Sequence, residues 1–272
     1  MPSSTPSPEP PAWVLLRGLT RDRRHWGDFP LRLREALAAT AHGPARGGQG
    51  VRVVAPDLAG NGTRWQEPSP STVAAMVDDL RAALHEQGQS PPYRVLAMSL
   101  GAMVTIEWAR CHPEELAGAV LMNTSVRPLS PLYHRLQPRA WPTLLGGLCR
   151  PGGAPGLQRR VLALTSRHWH VETEAGAGLL AQWVEWQRAC PVQPANAWRQ
   201  LLAAARYRAP LAPPPVPVRL LNGAGDRLVH PACSQALAQA WGLRLHLHPT
   251  AGHDLPLDAP DWVVTQVLAS MR

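Results

Sequence analysis

A chain of 272 residues, 45% of them hydrophobic, can bury one sizeable core, so one large domain, or one domain carrying an insertion, is expected. The formal charge of +8 comes from arginine alone, since no lysine occurs. The arginines are scattered from Arg17 to Arg272, with no run beyond Arg23-Arg24 and Arg159-Arg160. That dispersal argues against a nucleic-acid partner, and a GC-rich coding bias accounts for the excess.

Cys111, Cys149, Cys190 and Cys233 lie far apart without a C-x-x-C pair, so neither a disulfide framework nor a zinc site is indicated, and a reducing compartment fits best. Met1 to Pro11 is a Ser/Pro-rich stretch expected to be a disordered tail, with neither the basic nor the apolar region of a signal peptide. Without a run of about 18 apolar residues there is no membrane span, and a cytoplasmic location is expected. The oligomeric state is left open.

In chain order, Trp13 to Leu16 reads as a strand ending in Arg17-Gly18-Leu19, and Phe29, Leu31, Leu33 and Leu37 suggest a helix closed by Gly43. Gly47 to Gly50 reads as a surface loop, and Val51, Val53 and Val54 as a second strand running into A-P-D-L-A-G-N-G, Ala55 to Gly62. Ser71 is the expected N-cap of an amphipathic helix carrying Val73, Met76, Val77, Leu80 and Leu84. Tyr93 to Ile106 then reads as strand, sharp turn, helix, with Ser99 on the turn. A residue held on such a turn has a strained backbone, and its neighbours at two before and two after must be small; here they are Ala97 and Gly101. A further strand spans Ala119 to Met122. This alternation predicts a mostly parallel α/β sheet flanked by helices.

Residues 126–209 break the alternation with Pro, Gly, Trp and Arg and with helical stretches such as Gly178 to Trp186, and read as an inserted helical cap. Residues 12–125 and 210–272 form the core on this reading. Strands at Val216 to Leu221 and Leu243 to Leu247 follow, with a helix beginning near Pro231 between them and a last helix opened by Asp258 and Pro260.

The predicted strand ends carry Gly18-Leu19, Asp57, Ser99, Asn123, Asp226 and His253, and parallel sheets place their sites at those ends. The R-G-L loop, the A-P-D-L-x-G-x-G turn, A-M-S-L-G, the G-x-G-D of Gly223 to Asp226 and the A-G-H of Ala251 to His253 together resemble an α/β-hydrolase of the esterase-like kind with a helical cap. The resemblance covers Trp13 to Arg272. It implies Ser99 as nucleophile, Asp226 as acid and His253 as base, with the backbone N–H groups of Leu19 and Leu100 forming an oxyanion hole and with neither metal nor organic cofactor.

The pattern departs from the family at Ala97, where glycine is usual, and at Arg17, where histidine is common. Arg17 either binds a substrate carboxylate or pairs with an acid such as Asp57; pairing is the expectation, because a buried guanidinium rarely goes without a partner. The family's second possible acid position holds Asn123-Thr124-Ser125, which favours Asp226. Asp57 and Asp254 read as turn residues, and His246 and His248 as packing or solvent-facing rather than ligating. Trp26, Trp141, Trp183 and Trp186, with Leu19 and Leu100, either line an apolar pocket or belong to the core. The expected function is a serine hydrolase for a small or medium, largely apolar ester. Thioesterase, amidase or cofactor-free perhydrolase chemistry, and a non-catalytic binding protein, stand as alternatives.

Overall fold

Residues 10–41, 50–149 and 155–271 are described in the structure, a computed structural model; most of the expected N-terminal tail, Gly43 and most of the loop expected at 47–50 lie outside them. The chain begins with β1, Ala12–Leu16, whose five side chains are all buried, as expected of a strand covered on both faces. Helix α1, Phe29–Ala41, leads to β2, which pairs only through Val53–Val54 and is shorter than the sequence suggests. Helix α2, Val73–Glu86, buries Val73, Met76, Val77, Leu80 and Leu84 as its periodicity requires. Its N-cap is Thr72 rather than Ser71: the extended Thr72 backbone aims its hydroxyl at the Ala75 N–H, 3.2 Å away.

Strand β3, Tyr93–Met98, helix α3, Leu100–Cys111, and strand β4, Leu116–Met122, form the centre. Between β4 and the next strand the chain is helical: α4, Leu132–Arg135; α5, Trp141–Cys149; α6, Pro155–Thr165; α7, Glu174–Ala189; and α8, Pro194–Arg206. Strand β5, Val218–Gly223, helix α9, Ala232–Trp241, and strand β6, Leu245–His248, return to the sheet, and α10, Leu255–Asp258, and α11, Pro260–Ala269, follow. Asp258 does not open α11 as expected. Its buried carboxylate instead accepts from Ser166 Oγ at 2.5 Å, Arg167 N at 2.8 Å and Gly252 N at 2.7 Å.

All pairings are parallel, in the order β2-β1-β3-β4-β5-β6. Alternate residues of each strand feed two cores. Val14, Leu16, Val95, Ala97 and Leu121 pack with α2, α3 and α9, whereas Trp13, Leu15, Leu96, Val120 and Met122 pack with α1 and α11. A sheet of this kind gathers its loops at the carboxyl ends of the strands, and the positions flagged in the sequence fall there.

The helical segment is fastened over that edge by polar contacts with buried partners. Gln200 Nε2 donates to Asn61 Oδ1 and Ser69 Oγ, both at 3.0 Å, and Thr20 N donates to Gln200 Oε1 at 2.9 Å. Arg21 lies over the face of Trp183, 4.1 Å from its centroid, and Arg24 donates to the Trp186 carbonyl at 3.1 Å. His25 packs between Trp183 and Trp186, tilted to the first and edge-on to the second, its side chain 6% exposed.

Burial, reinforced by the charge of Arg21, pushes the His25 imidazole down to about 4. The folded value lies below that of the free side chain, so the unfolded chain takes up the proton first. The contribution of neutral His25 is therefore complete above about pH 6.5 and lost as pH falls towards 4, an effect on the order of 3 kcal/mol. Denaturant unfolding measured between pH 7 and 4 should show stability falling with pH, and the slope should flatten in His25→Asn. An unchanged slope would place the proton uptake elsewhere.

Candidate active site

Ser99 occupies the single residue between β3 and α3, with φ 54° and ψ −118°. A non-glycine side chain adopts that backbone only when its surroundings impose it. The turn is pinned by the Ser99 N–H donating to Met122 O at 2.9 Å and by Thr124 Oγ1 donating to Ser99 O at 3.1 Å. The small neighbours follow from close approach. A Cβ on Gly101 would stand 2.6 Å from Arg17 O and 2.8 Å from Leu16 O, and one on Gly18 would stand 2.9 Å from Ser99 Cβ. The loop after β1 therefore lies directly against Ser99. Leu100 is the first residue of α3, so its amide has no carbonyl a turn earlier to serve and faces the electropositive end of the helix.

Asp226 and His253 come together from the loops after β5 and β6: His253 Nδ1 lies 2.7 Å from Asp226 Oδ2, with both side chains almost wholly buried. The other carboxylate oxygen accepts the N–H groups of Leu228 at 2.8 Å and Val229 at 2.9 Å, which fixes the plane of the group. Glycines let the two loops touch, since a Cβ on Gly223 would stand 2.3 Å from Ala251 O and one on Gly225 would stand 2.7 Å from Thr250 O.

The sequence marks Asn123 only as the absence of a carboxylate. It is fully buried, has φ 48°, and donates from Nδ2 to Asp226 Oδ2 at 2.9 Å and to Gly252 O at 3.2 Å. An aspartate there would set two carboxylates against each other, whereas the amide supplies a donor to Asp226. The signal available beforehand is a polar residue at a strand end facing the Asp226 strand.

Arg17 does not pair with Asp57. Its guanidinium meets Asp254 in a buried fork, Nη1 to Oδ1 at 3.1 Å and Nη2 to Oδ2 at 2.6 Å, and it lies 4.9 Å from the centroid of the Trp26 ring. Asp254 is thus no loop-directed turn residue. Burial pushes its carboxyl up, but the Arg17 charge and hydrogen bonds outweigh this and hold it below the usual carboxylate range. Asp57 serves its own turn, accepting from Arg23 N at 2.7 Å and Thr63 N at 2.9 Å.

The tryptophans divide. Trp26 is buried in the α1/α11 core, where it stacks on Phe29 at 5.6 Å, and Trp183 is buried against Arg21 and His25. Trp186 is half-buried, and Trp141 is exposed, its indole donating to Leu136 O at 3.2 Å. His248 packs edge-on against Trp262, and His246 lies beside Arg219. Among the described residues, His112, Glu114 and Glu115 bring ligand-type atoms within 4.8 Å of one another, but Glu115 is already held by Arg81 and by the Trp108 indole. Cys111, Cys190 and Cys233 are free thiols, and no described helix is long and apolar enough to cross a membrane.

Comparison with known proteins agrees with this arrangement of strands and loops. A curated relative, the cis-3-alkyl-4-alkyloxetan-2-one decarboxylase of Xanthomonas campestris, is 26% identical over 182 residues, 64% of this chain and 54% of the relative. The chain thus matches about half the length of that protein. Among solved structures, the enol-lactonase of Burkholderia xenovorans superposes with a TM-score of 0.74 at 18% identity, covering 97% of this chain and 92% of the other. A thermophilic esterase from Thermogutta terrifontis superposes with a TM-score of 0.68 at 23% identity, covering 97% and 90%. At such identities the superpositions establish the fold. The model of the alpha/beta hydrolase family matches residues 13–266, nearly the whole chain, and the protein belongs to that family.

Proposed function

We propose that the protein is a serine hydrolase that cleaves a carboxylic ester through an acyl-enzyme, with Ser99, His253 and Asp226 as its triad. The observations that support this reading most directly are the buried 2.7 Å contact of His253 Nδ1 with Asp226 and a serine held at φ 54° on a strand-to-helix turn at the same edge of the sheet. With Nδ1–H turned to Asp226, Nε2 is left as the acceptor. Ser99 Oγ attacks the ester carbonyl and passes its proton to Nε2. The N–H groups of Leu100 and Leu19 take the charge that develops on the carbonyl oxygen. Imidazolium then protonates the departing alkoxide, and water repeats the sequence on the acyl-enzyme to release the acid.

On this reading the helices between β4 and β5, residues 126–209, act as a cap that shields the acyl-enzyme from bulk water. The clasp of Trp183 and Trp186 on Arg21, Arg24 and His25 supports that role, and leaves Trp141, on the outside, with none in binding. Arg17 is withdrawn from substrate recognition, because Asp254 occupies its fork. An apolar ester remains the favoured substrate class. The relatives point the same way, since an oxetan-2-one and an enol-lactone are cyclic esters and the third relative is an esterase.

A fluorophosphonate probe should label the protein once, at Ser99, and Ser99→Ala should abolish labelling while leaving the fold intact, because only a hydroxyl is removed. Labelling that persists in this variant overturns the assignment, and a wild-type protein that resists the probe favours a binding protein of the same fold.

The two buried aspartates flanking the site should separate by their effects. Asp226→Asn should lower turnover of a short-chain aryl ester by about 10⁴, as loss of the histidine-orienting carboxylate does in serine proteases, with KM little changed. Asp254→Asn should instead act on stability, by about 3–5 kcal/mol in denaturant unfolding, because it strips a buried guanidinium of its counter-charge. Near-normal turnover in Asp226→Asn would show that the acid lies elsewhere.

A further inference from the structure

At the amino ends of the strands, the far end of the sheet from Ser99, lies a cleft of about 220 Å³ whose lining includes Arg94, Gly118, Arg219, Arg244, His246 and Ser270. It is opened by an irregularity in the sheet. Tyr93 pairs with Leu116 but Arg94 pairs with Gly118, so the register slips by one residue at Ala117. Gly118 has φ 153°, and a Cβ there would stand 3.4 Å from both Arg94 Nη1 and Pro217 O, so the missing side chain leaves room for the Arg94 guanidinium.

The chemistry of the cleft is one-sided. None of its lining residues is a carboxylate. Arg219 donates to Gln266 Oε1 at 2.7 Å and lies 3.4 Å from His246 Nδ1. Among the described residues Arg94 and Arg244 have neither a hydrogen-bonding side-chain partner nor an ion pair, although Arg94 is half-buried. Burial pushes the guanidinium values of Arg94 and Arg219 down, the latter further because of Arg244, and His246 is lowered by burial and by the same two arginines, Arg219 and Arg244. The one opposing influence in the lining is the carboxyl end of α11 at Ala269 and Ser270, worth roughly half an elementary charge against three guanidiniums.

We propose that this cleft binds a small phosphate-type oxyanion, either free inorganic phosphate or the phosphoryl group of a small phosphomonoester. Planar guanidinium forks match the oxygens of a tetrahedral dianion two at a time, and several forks converging on one space favour a compact, doubly charged ligand. The volume sets the size class, since it is below the roughly 300–1,000 Å³ of pockets that enclose drug-sized molecules. The cleft therefore suits an ion or a short phosphate ester rather than a nucleotide.

The test is calorimetric titration of the full chain with inorganic phosphate, glycerol phosphate and malonate at fixed ionic strength. Phosphate or glycerol phosphate should bind saturably with one site per chain, and the tighter of the two identifies the source. Arg94→Gln and the exposed Arg244→Gln should each weaken that binding at least about tenfold, as loss of a charge-assisted contact implies. Arg34→Gln, on the exposed face of α1, should leave it unchanged, as should Ser99→Ala, which keeps the outcome separate from the hydrolase reading. The proposal is overturned by failure of both phosphates to saturate, by malonate binding as tightly, or by an equal loss in Arg34→Gln, which would reduce the effect to overall charge.

Discussion

The arrangement at the carboxyl edge of the sheet hangs on the buried fork between Arg17 and Asp254. These residues are 237 apart in sequence, one directly before the Gly18-Leu19 loop and the other directly after His253. Removing two charges from water is costly, and the pair is tolerated only because its geometry is bidentate and the Trp26 face lies beside the guanidinium. Its value is therefore less in net stability than in position. It fixes the loop that presses on Ser99 relative to the loop that carries His253, so a shift in either loop would leave a buried charge unpaired.

Around this fork the remaining constraints are steric and polar. Gly18 and Gly101 allow the β1 loop, the Ser99 turn and the end of β1 to occupy nearly the same space. Asn123 and the amides of Leu228 and Val229 saturate Asp226, and Asp258 ties Gly252 to Ser166 and Arg167 beyond the end of α6. The loop bearing His253 is thus held from three sides: by β5, by the β1 loop and by the inserted helices. Such support suits a site whose donors must be in place before charge develops, because donors that had to reorganise during the reaction would lose much of their benefit.

The two ends of the sheet are treated in opposite ways. At the carboxyl end Arg17 is paired with Asp254 and Asp226 is bonded to His253, and the helical segment covers the edge with Trp183, Trp186, Asn196 and Gln200. At the amino end a register slip and one glycine leave guanidiniums converging on a cleft lined by no carboxylate. The dispersed arginines of the sequence give no hint of this difference, since Arg94, Arg219 and Arg244 are distant in the chain and meet only because β3, β5 and β6 start at the same edge.

Hydrophobic runs and turn chemistry were enough to read the order of strands and helices, the parallel sheet and the sharp turn at Ser99, because these depend on local periodicity and on small residues at fixed spacing. The sequence also brought Ser99, Asp226 and His253 to strand ends, since a parallel sheet leaves little choice about where its loops gather. Partner choice among charges was beyond it. Arg17 had Asp57 nearer in sequence but took Asp254. Asp258 read as a helix opener but accepts from Ser166, Arg167, His168 and Gly252, and Asn123 read as an absence although it holds Asp226. Apart from the bond between Gly252 and Asp258, these contacts join residues tens to hundreds of positions apart through buried space, where the cost of an unpaired polar group selects one partner and no local pattern records the choice.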